Sequence, residues 1–144
     1  MNYSFSSPSE KDLEIIQNIL CHFSLPFEDI QKHLSNFILT FHQNKLVGIV
    51  GLEIYGSIGL LRSLVVLETQ RNFGLGKLLV QKAIDLALSK EVKELFLLTT
   101  TAENYFLRLG FENFDRKKVP LKISETMEFS SLCPSSAICL HKII

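Results

Sequence analysis

The chain has 144 residues, 47% of them hydrophobic, with 15 Lys plus Arg against 15 Asp plus Glu. That balance excludes a disordered chain and gives no basic excess for binding nucleic acid. Three cysteines, Cys21, Cys133 and Cys139, lack paired zinc spacing and suit reduced thiols in the cytoplasm. The most apolar stretch, Leu46 to Leu61, is interrupted by Glu53 and is short for a membrane span. The opening MNYSFSSPSEKD has neither the basic nor the apolar region of a secretory signal. One cytoplasmic domain over residues 1–144, without a membrane or nucleic-acid partner, is the expectation.

In chain order, Asn2 to Ser6 reads as a short strand. Ser7-Pro8-Ser9-Glu10 has the form of a capping box with Pro at the first helical position. Leu13, Ile16, Ile19, Leu20 and Phe23 then mark one helical face, which Leu25-Pro26 ends. Phe27 to Leu34 reads as a second, short helix. Phe37–Phe41 and Leu46–Tyr55 form a hairpin about Gln43-Asn44-Lys45. Gly56 to Gly59 turns the chain into a third strand, Leu60–Leu67, to complete an antiparallel meander. After Gly74, Leu75, Leu79, Ala83 and Leu86 line one helical face, with Lys77, Gln81 and Asp85 on another. Glu94–Thr100 is a buried strand, parallel to the one before the helix. Ala102–Leu109 is a short helix that Gly110 ends in a left-handed cap. Phe111–Phe114 starts a strand, Pro120–Phe129 reads as a last helix, and Ala137–His141 as a closing strand.

The stretch Leu60 to Lys82 carries the strongest functional signal. A strand meets Arg71-Asn72-Phe73-Gly74-Leu75-Gly76-Lys77, and a helix follows. The unpaired N–H groups of a helix start, together with the helix dipole, favour an anion such as phosphate. A Walker A loop is excluded: Arg71 replaces its first Gly and Leu78 its Ser or Thr. A dinucleotide fingerprint is excluded too, because Leu79 replaces the third Gly and no Asp or Glu ends the next strand.

Arg71, Gly74 and Gly76 fit a third pattern: Gln or Arg, two residues, Gly, one residue, then Gly or Ala. This resembles the pyrophosphate loop of the GNAT N-acetyltransferases, as Ala102 to Phe111, A-x-x-Y-F-L-R-L-G-F, resembles that family's second signature. The strings GLEIYG, LLRSLVV, LLTTTA and EFSSLCPSSA are similar to the arsenic-resistance branch of the family. The resemblance implies an α/β (α+β) GNAT fold. Its mixed sheet has about six to seven strands, with an N-terminal meander, a parallel βαβ pair and helices on both faces. It implies acetyl-CoA (coenzyme A) as co-substrate and transfer to a small-molecule amine, by a monomer or homodimer. Arg71, Asn72, Phe73, Gly74, Leu75, Gly76 and Lys77 would hold the pyrophosphate. Leu64, Val65 and Val66 would pair with the pantetheine arm and supply an oxyanion donor.

At the position where many members carry a Tyr as general acid, this chain has Phe106, which the resemblance still places among the coenzyme-binding residues. Tyr105 is one residue earlier and, on helical spacing, is expected to face elsewhere. Thr99 stands where Asn is frequent in relatives. Glu53 and Arg62 are charges inside apolar strands. Glu53 is a candidate general base, and Arg62 a candidate clamp for the carboxylate, arsonate or phosphinate of an anionic, amino acid-like acceptor; a link to arsenic resistance is what the resemblance to that branch implies. The alternative is that the two pair with each other across adjacent strands. Two other functions stay open: a regulatory coenzyme A binder without catalysis, for which Phe106 argues, and a metalloid binder using Cys133 and Cys139.

Overall fold

The computed structural model describes residues 2–144. Seven strands form one sheet: β1 (Ser4–Ser6), β2 (Phe37–His42), β3 (Lys45–Tyr55), β4 (Ile58–Val66), β5 (Glu94–Thr99), β6 (Glu112–Asn113) and β7 (Ile138–Ile143). Their order across the sheet is β1-β2-β3-β4-β5-β7-β6. Every neighbouring pair is antiparallel except β4 and β5. The helices are α1 (Leu13–His22), α2 (Leu75–Ser89), α3 (Glu103–Arg108) and α4 (Leu121–Ser124).

Turn chemistry sets the meander. Gln43 and Asn44 both take positive φ, 52° and 63°, as a two-residue type I′ hairpin between β2 and β3 requires. Gly56, at φ 64°, opens the next turn. Ile58–Leu60 of β4 lie beside Glu94–Phe96 of β5, and the pairing ends there. Beyond Leu60 and Phe96 the two parallel strands separate, so their facing backbone groups do not pair with each other.

Helices cover both faces. On one, α2 and α3 bury Leu79, Val80 and Phe106 against Val50, Leu52, Leu61 and Leu97. On the other, α1 and a 3₁₀ segment (Ile30–Asn36) pack Ile16, Leu20, Ile30 and Leu34 on Phe37, Leu39, Ile49 and Val65. Ile123 and Phe129 cover Leu60 and Phe96 further along that face.

The first three helices stop in the same way. Ser24, Glu91 and Gly110 take positive φ after α1, α2 and α3. The next N–H then reaches back five residues: Leu25 to Leu20, Val92 to Ala87, and Phe111 to Phe106. This is the Schellman closure, which satisfies carbonyls the helix leaves unpaired.

The structure corrects several expected boundaries. The first cap is Ser9, not Ser7; its N–H donates to the Asp12 carboxylate at 2.8 Å, and one 3₁₀ turn precedes α1. Phe27–Leu34 is not an α-helix: the turn is 3₁₀ and begins at Ile30. The segment Pro120–Phe129 divides into α4 and a π turn, Glu128–Leu132. β6 holds only Glu112 and Asn113.

The central sheet also depends on a close contact. A Cβ on Gly51 would lie 2.4 Å from the ring of the buried Phe37. Gly51→Ala should therefore destabilise the chain by about 1–3 kcal/mol through overpacking. Chemical denaturation measures this, and an unchanged midpoint would refute the packing argument.

Candidate active site

The separation of β4 from β5 opens a cavity of about 410 Å³ between the residues Leu61–Leu64 and Leu97–Ala102. A second cavity, about 590 Å³, lies at the start of α2. Leu25, Leu64, Thr101 and Tyr105 line both, so the two adjoin.

The second cavity has the features that an anion site requires. Gly74, at φ 80°, caps α2, and no side chain accepts from the first turn's N–H groups. Those groups and the helix dipole face the cavity with the charges of Arg71, Lys77 and Arg108. Arg71 Nε also donates to the carbonyl of Val66 at 3.1 Å, fastening the loop to the end of β4. A Cβ on Gly76 would lie 2.3 Å from the Tyr105 hydroxyl, so the start of α2 packs directly against α3 here. Leu64, Val65, Val66, Asn72, Gly74, Leu75 and Gly76 also line the cavity. Phe73 does not; it is 57% exposed outside it. These features fit a pyrophosphate with an extended arm laid along β4.

Tyr105 overturns its expectation. It faces the cleft instead of turning away, because α3 lies along the cleft: Tyr105 lines both cavities, and Phe106 lines the first but not the second. Burial raises the Tyr105 pKa and keeps its hydroxyl protonated. Phe106 is buried against Phe111. Thr99 Oγ1 accepts from the Ala102 N–H at 3.0 Å and so caps the approach to α3.

β4 carries a bulge beside the first cavity. Arg62 faces Gly51 and Val65 faces Ile49, three steps on β4 against two on β3. Ser63 absorbs the extra residue at φ 62°, a conformation that costs a non-glycine residue about 1–3 kcal/mol.

Arg62 is 4% exposed and lies at the centre of a charge cluster. Nη1 donates to Asp29 at 2.6 Å and to Glu53 at 2.7 Å. Nη2 donates to Asp29 at 2.8 Å and to the Pro26 carbonyl at 3.2 Å, and Nε to Ser63 Oγ at 3.0 Å. Every guanidinium N–H is thereby taken. The pairing alternative describes the observed contact between Glu53 and Arg62, and no donor remains for a substrate anion. Glu53 is 1% exposed, accepts from the Tyr55 hydroxyl, and lies 3.3 Å from His33 Nε2. It does not line the first cavity.

The sequence reading missed Glu128, Asp29 and Arg108. Glu128 is buried, lines the first cavity, and places Oε2 3.1 Å from Arg62 Nε. The Cys133 thiol donates to its Oε1 at 3.8 Å. Burial pushes the Glu128 pKa up to about 7; Arg62 opposes the rise, while Glu53 and Asp29 add to it. Burial also acts to raise Asp29, but the bonds and charge of Arg62 outweigh it and hold the carboxyl below its ordinary range. Burial lowers His33 against the pull of Glu53. Burial raises Cys133 to about 12 and Cys139 to about 11, so both thiols keep their protons.

Comparisons with known proteins agree with this geometry. Residues 5–111 match the acetyltransferase (GNAT) family. An uncharacterized N-acetyltransferase of Chlorobaculum tepidum is 31% identical over 113 residues, 78% of this chain and 70% of that one. The N-acetylglutamate synthase of Neisseria gonorrhoeae, solved with coenzyme A and L-arginine, superposes with a TM-score of 0.83 at 20% identity. It covers 99% of this chain, which spans 33% of the synthase. A Mycobacterium tuberculosis protein solved with coenzyme A and NLQ superposes at 0.77 and 15% identity, over 98% of this chain and 99% of that one. The chain belongs to the GNAT family of acetyltransferases, whose co-substrate is acetyl-CoA.

The charge cluster has a testable signature. Between the ordinary Glu value of 4.5 and about 7, the folded chain holds a proton on Glu128 that the unfolded chain has released. Stability from this group therefore falls as pH rises through that window. His33, lowered in the fold, acts in the opposite sense. Glu128→Gln removes only the first effect. Its stability relative to the wild type should grow from pH 4.5 to 7, by on the order of a few kcal/mol, and then level off. Urea denaturation at stepped pH measures the difference; a flat difference would overturn the assignment.

Proposed function

We propose that the chain is an acetyl-CoA-dependent N-acetyltransferase acting on the amine of a small molecule. The observation that carries this reading is the adjoining pair of cavities: one a cationic helix start, the other the opening between β4 and β5. Backbone N–H groups of the first turn of α2, with Arg71, Lys77 and Arg108, would hold the pyrophosphate. Leu64 to Val66 would align the pantetheine arm, and the bulge at Ser63 would turn backbone N–H groups toward the acetyl carbonyl. When bound, acetyl-CoA supplies an activated acetyl thioester. The chain's residues position it, exclude water and take the proton of the incoming amine.

An anionic, amino acid-like acceptor was expected from Arg62, whose donors are all taken inside the protein. The link to arsenic resistance rests on sequence strings alone. A metalloid site on Cys133 and Cys139 finds little support, since both thiols hold their protons and Cys139 is buried in the core. The three free cysteines suit the cytoplasm, and among the described residues no helix is long and apolar enough to cross a membrane.

Acetyl-CoA should raise the melting temperature, with stabilisation of about 2.7 kcal/mol at a hundredfold excess over Kd. Lys77→Ala should keep the fold, because Lys77 is exposed on α2 and alanine is a strong helix former. It should weaken coenzyme A binding by about tenfold, since one of the three cations facing the proposed pyrophosphate position is lost. Absence of any thermal shift in the wild type would refute the coenzyme reading. Free thiol released in the presence of an amine separates an enzyme from a coenzyme binder.

A further inference from the structure

The first cavity sorts its side chains by chemistry. Leu25, Phe27, Leu98, Phe106, Leu132 and Ala137 supply apolar wall. The acidic and basic side chains in the lining are Glu28 at the mouth, Glu128, and Arg62. Arg62 has no N–H left to offer. Among the described residues, then, the cavity presents no cation with a free donor to a substrate carboxylate or phosphate.

The cluster behind the wall is short of positive charge. One guanidinium stands against three carboxylates, those of Asp29, Glu53 and Glu128. His33 is lowered and stays neutral. Arg116, near Cys133, has donors on the carbonyls of Phe129, Pro134 and Ala137 and makes no ion pair with the three carboxylates. The carboxylates differ in how they are held. Asp29 takes two N–H bonds from Arg62, and Glu53 takes one from Arg62 and one from Tyr55. Glu128 receives only a thiol at 3.8 Å and lies beside an Nε that already donates to Ser63. It is the buried carboxylate that opens on the cavity and lacks a strong donor.

Building on the acetyltransferase reading, we infer that the acceptor is a primary ammonium with an apolar body and no anionic group, and that Glu128 is the catalytic residue that binds the ammonium and takes its proton. Glu53, behind Arg62, is a positioning residue. The ammonium supplies the positive charge that the cluster lacks and the donor that Glu128 lacks. One ammonium proton passes to the Glu128 carboxylate and from there to solvent. The freed nitrogen lone pair bonds to the acetyl carbon as the carbon–sulfur bond breaks. The second proton leaves nitrogen for the departing thiolate. The products are the N-acetyl amine, coenzyme A thiol and one proton in solution. A carboxylate on the acceptor would be brought, unpaired, beside Glu28 and Glu128, which selects against amino acids.

The test uses phenethylamine and phenylalanine, which differ by one carboxylate, titrated calorimetrically into the full chain saturated with coenzyme A. Phenethylamine should bind, with phenylalanine weaker by about tenfold or more. Glu128→Gln should weaken phenethylamine by about tenfold or more while coenzyme A affinity is unchanged. In turnover with acetyl-CoA, the wild-type kcat should rise with pH through the ionisation of Glu128, and the variant should lack that limb. Equal or tighter binding of phenylalanine, or no binding of either, overturns the inference on the wild type alone. Phenethylamine binding without thiol release upholds the assigned acceptor class and refutes acetyl transfer, so the two readings fail separately.

Discussion

The buried Arg62 guanidinium is the contact on which the shape of the cleft depends. It joins four separate parts of the chain: the turn at Pro26 and Asp29, β3 through Glu53, its own strand β4, and the Glu128 turn. Removing these charges from water costs several kcal/mol per ion, and only close pairing offsets it. The short bonds to Asp29 and Glu53 meet that demand. The pairing therefore specifies more than it stabilises. It fixes how the segment before Ile30 and the segment after Thr126 approach the opening between β4 and β5, and those two segments supply much of the cavity wall.

The bulge at Ser63 belongs to the same arrangement. The extra residue places Arg62 and Ser63 so that Nε donates to the neighbouring Oγ, a local bond that helps offset the left-handed backbone. The bulge also changes the alternation of β4. Leu61 joins the core under α2, Leu60 the core under α4, and Val65 the core under α1. One strand thus reaches three packing clusters. A strain of about 1–3 kcal/mol at one residue is retained because contacts on both sides hold it in place.

Much of the fold is legible in the sequence because it is encoded locally. The meander is written in alternating apolar runs and in turn residues such as Gln43-Asn44 and Gly56. The glycine turn and α2 are written in Gly74, Gly76 and the helical periodicity after them. The cap at Gly110 is legible because glycine enters the left-handed region freely. The equivalent caps at Ser24 and Glu91 carry no such mark, since tertiary packing places ordinary residues there. The site divides in the same manner. The cofactor loop is contiguous and readable. The carboxylates on Arg62 come from positions 33 residues before it and 66 after, a separation that no local pattern reports. Glu53 was visible as a charge in an apolar strand, whereas Glu128, in a polar-looking segment, gave no periodicity signal. Tyr105 was misplaced because the 100° rule gives direction about a helix axis but not where that axis lies.

The formal charge of zero conceals a separation along the cleft. At the helix start, Arg71, Lys77 and Arg108 gather around unpaired N–H groups. At the other end, Glu28 and Glu128 face the cavity, and the neighbouring cation is fully bonded. Within a cleft walled by low-dielectric side chains, such separated charges act strongly over short distances. A phosphorylated ligand is favoured at one end and an ammonium at the other, so each partner is discouraged from the other's position. The boundary falls at Leu64 and Tyr105, which line both cavities. On the proposed reading, reacting groups carried inward from the two ends would meet beside the bulge, where the backbone of β4 is no longer paired to β5. The polarity of the cleft would thus orient two unlike ligands toward one point without any formal net charge on the protein.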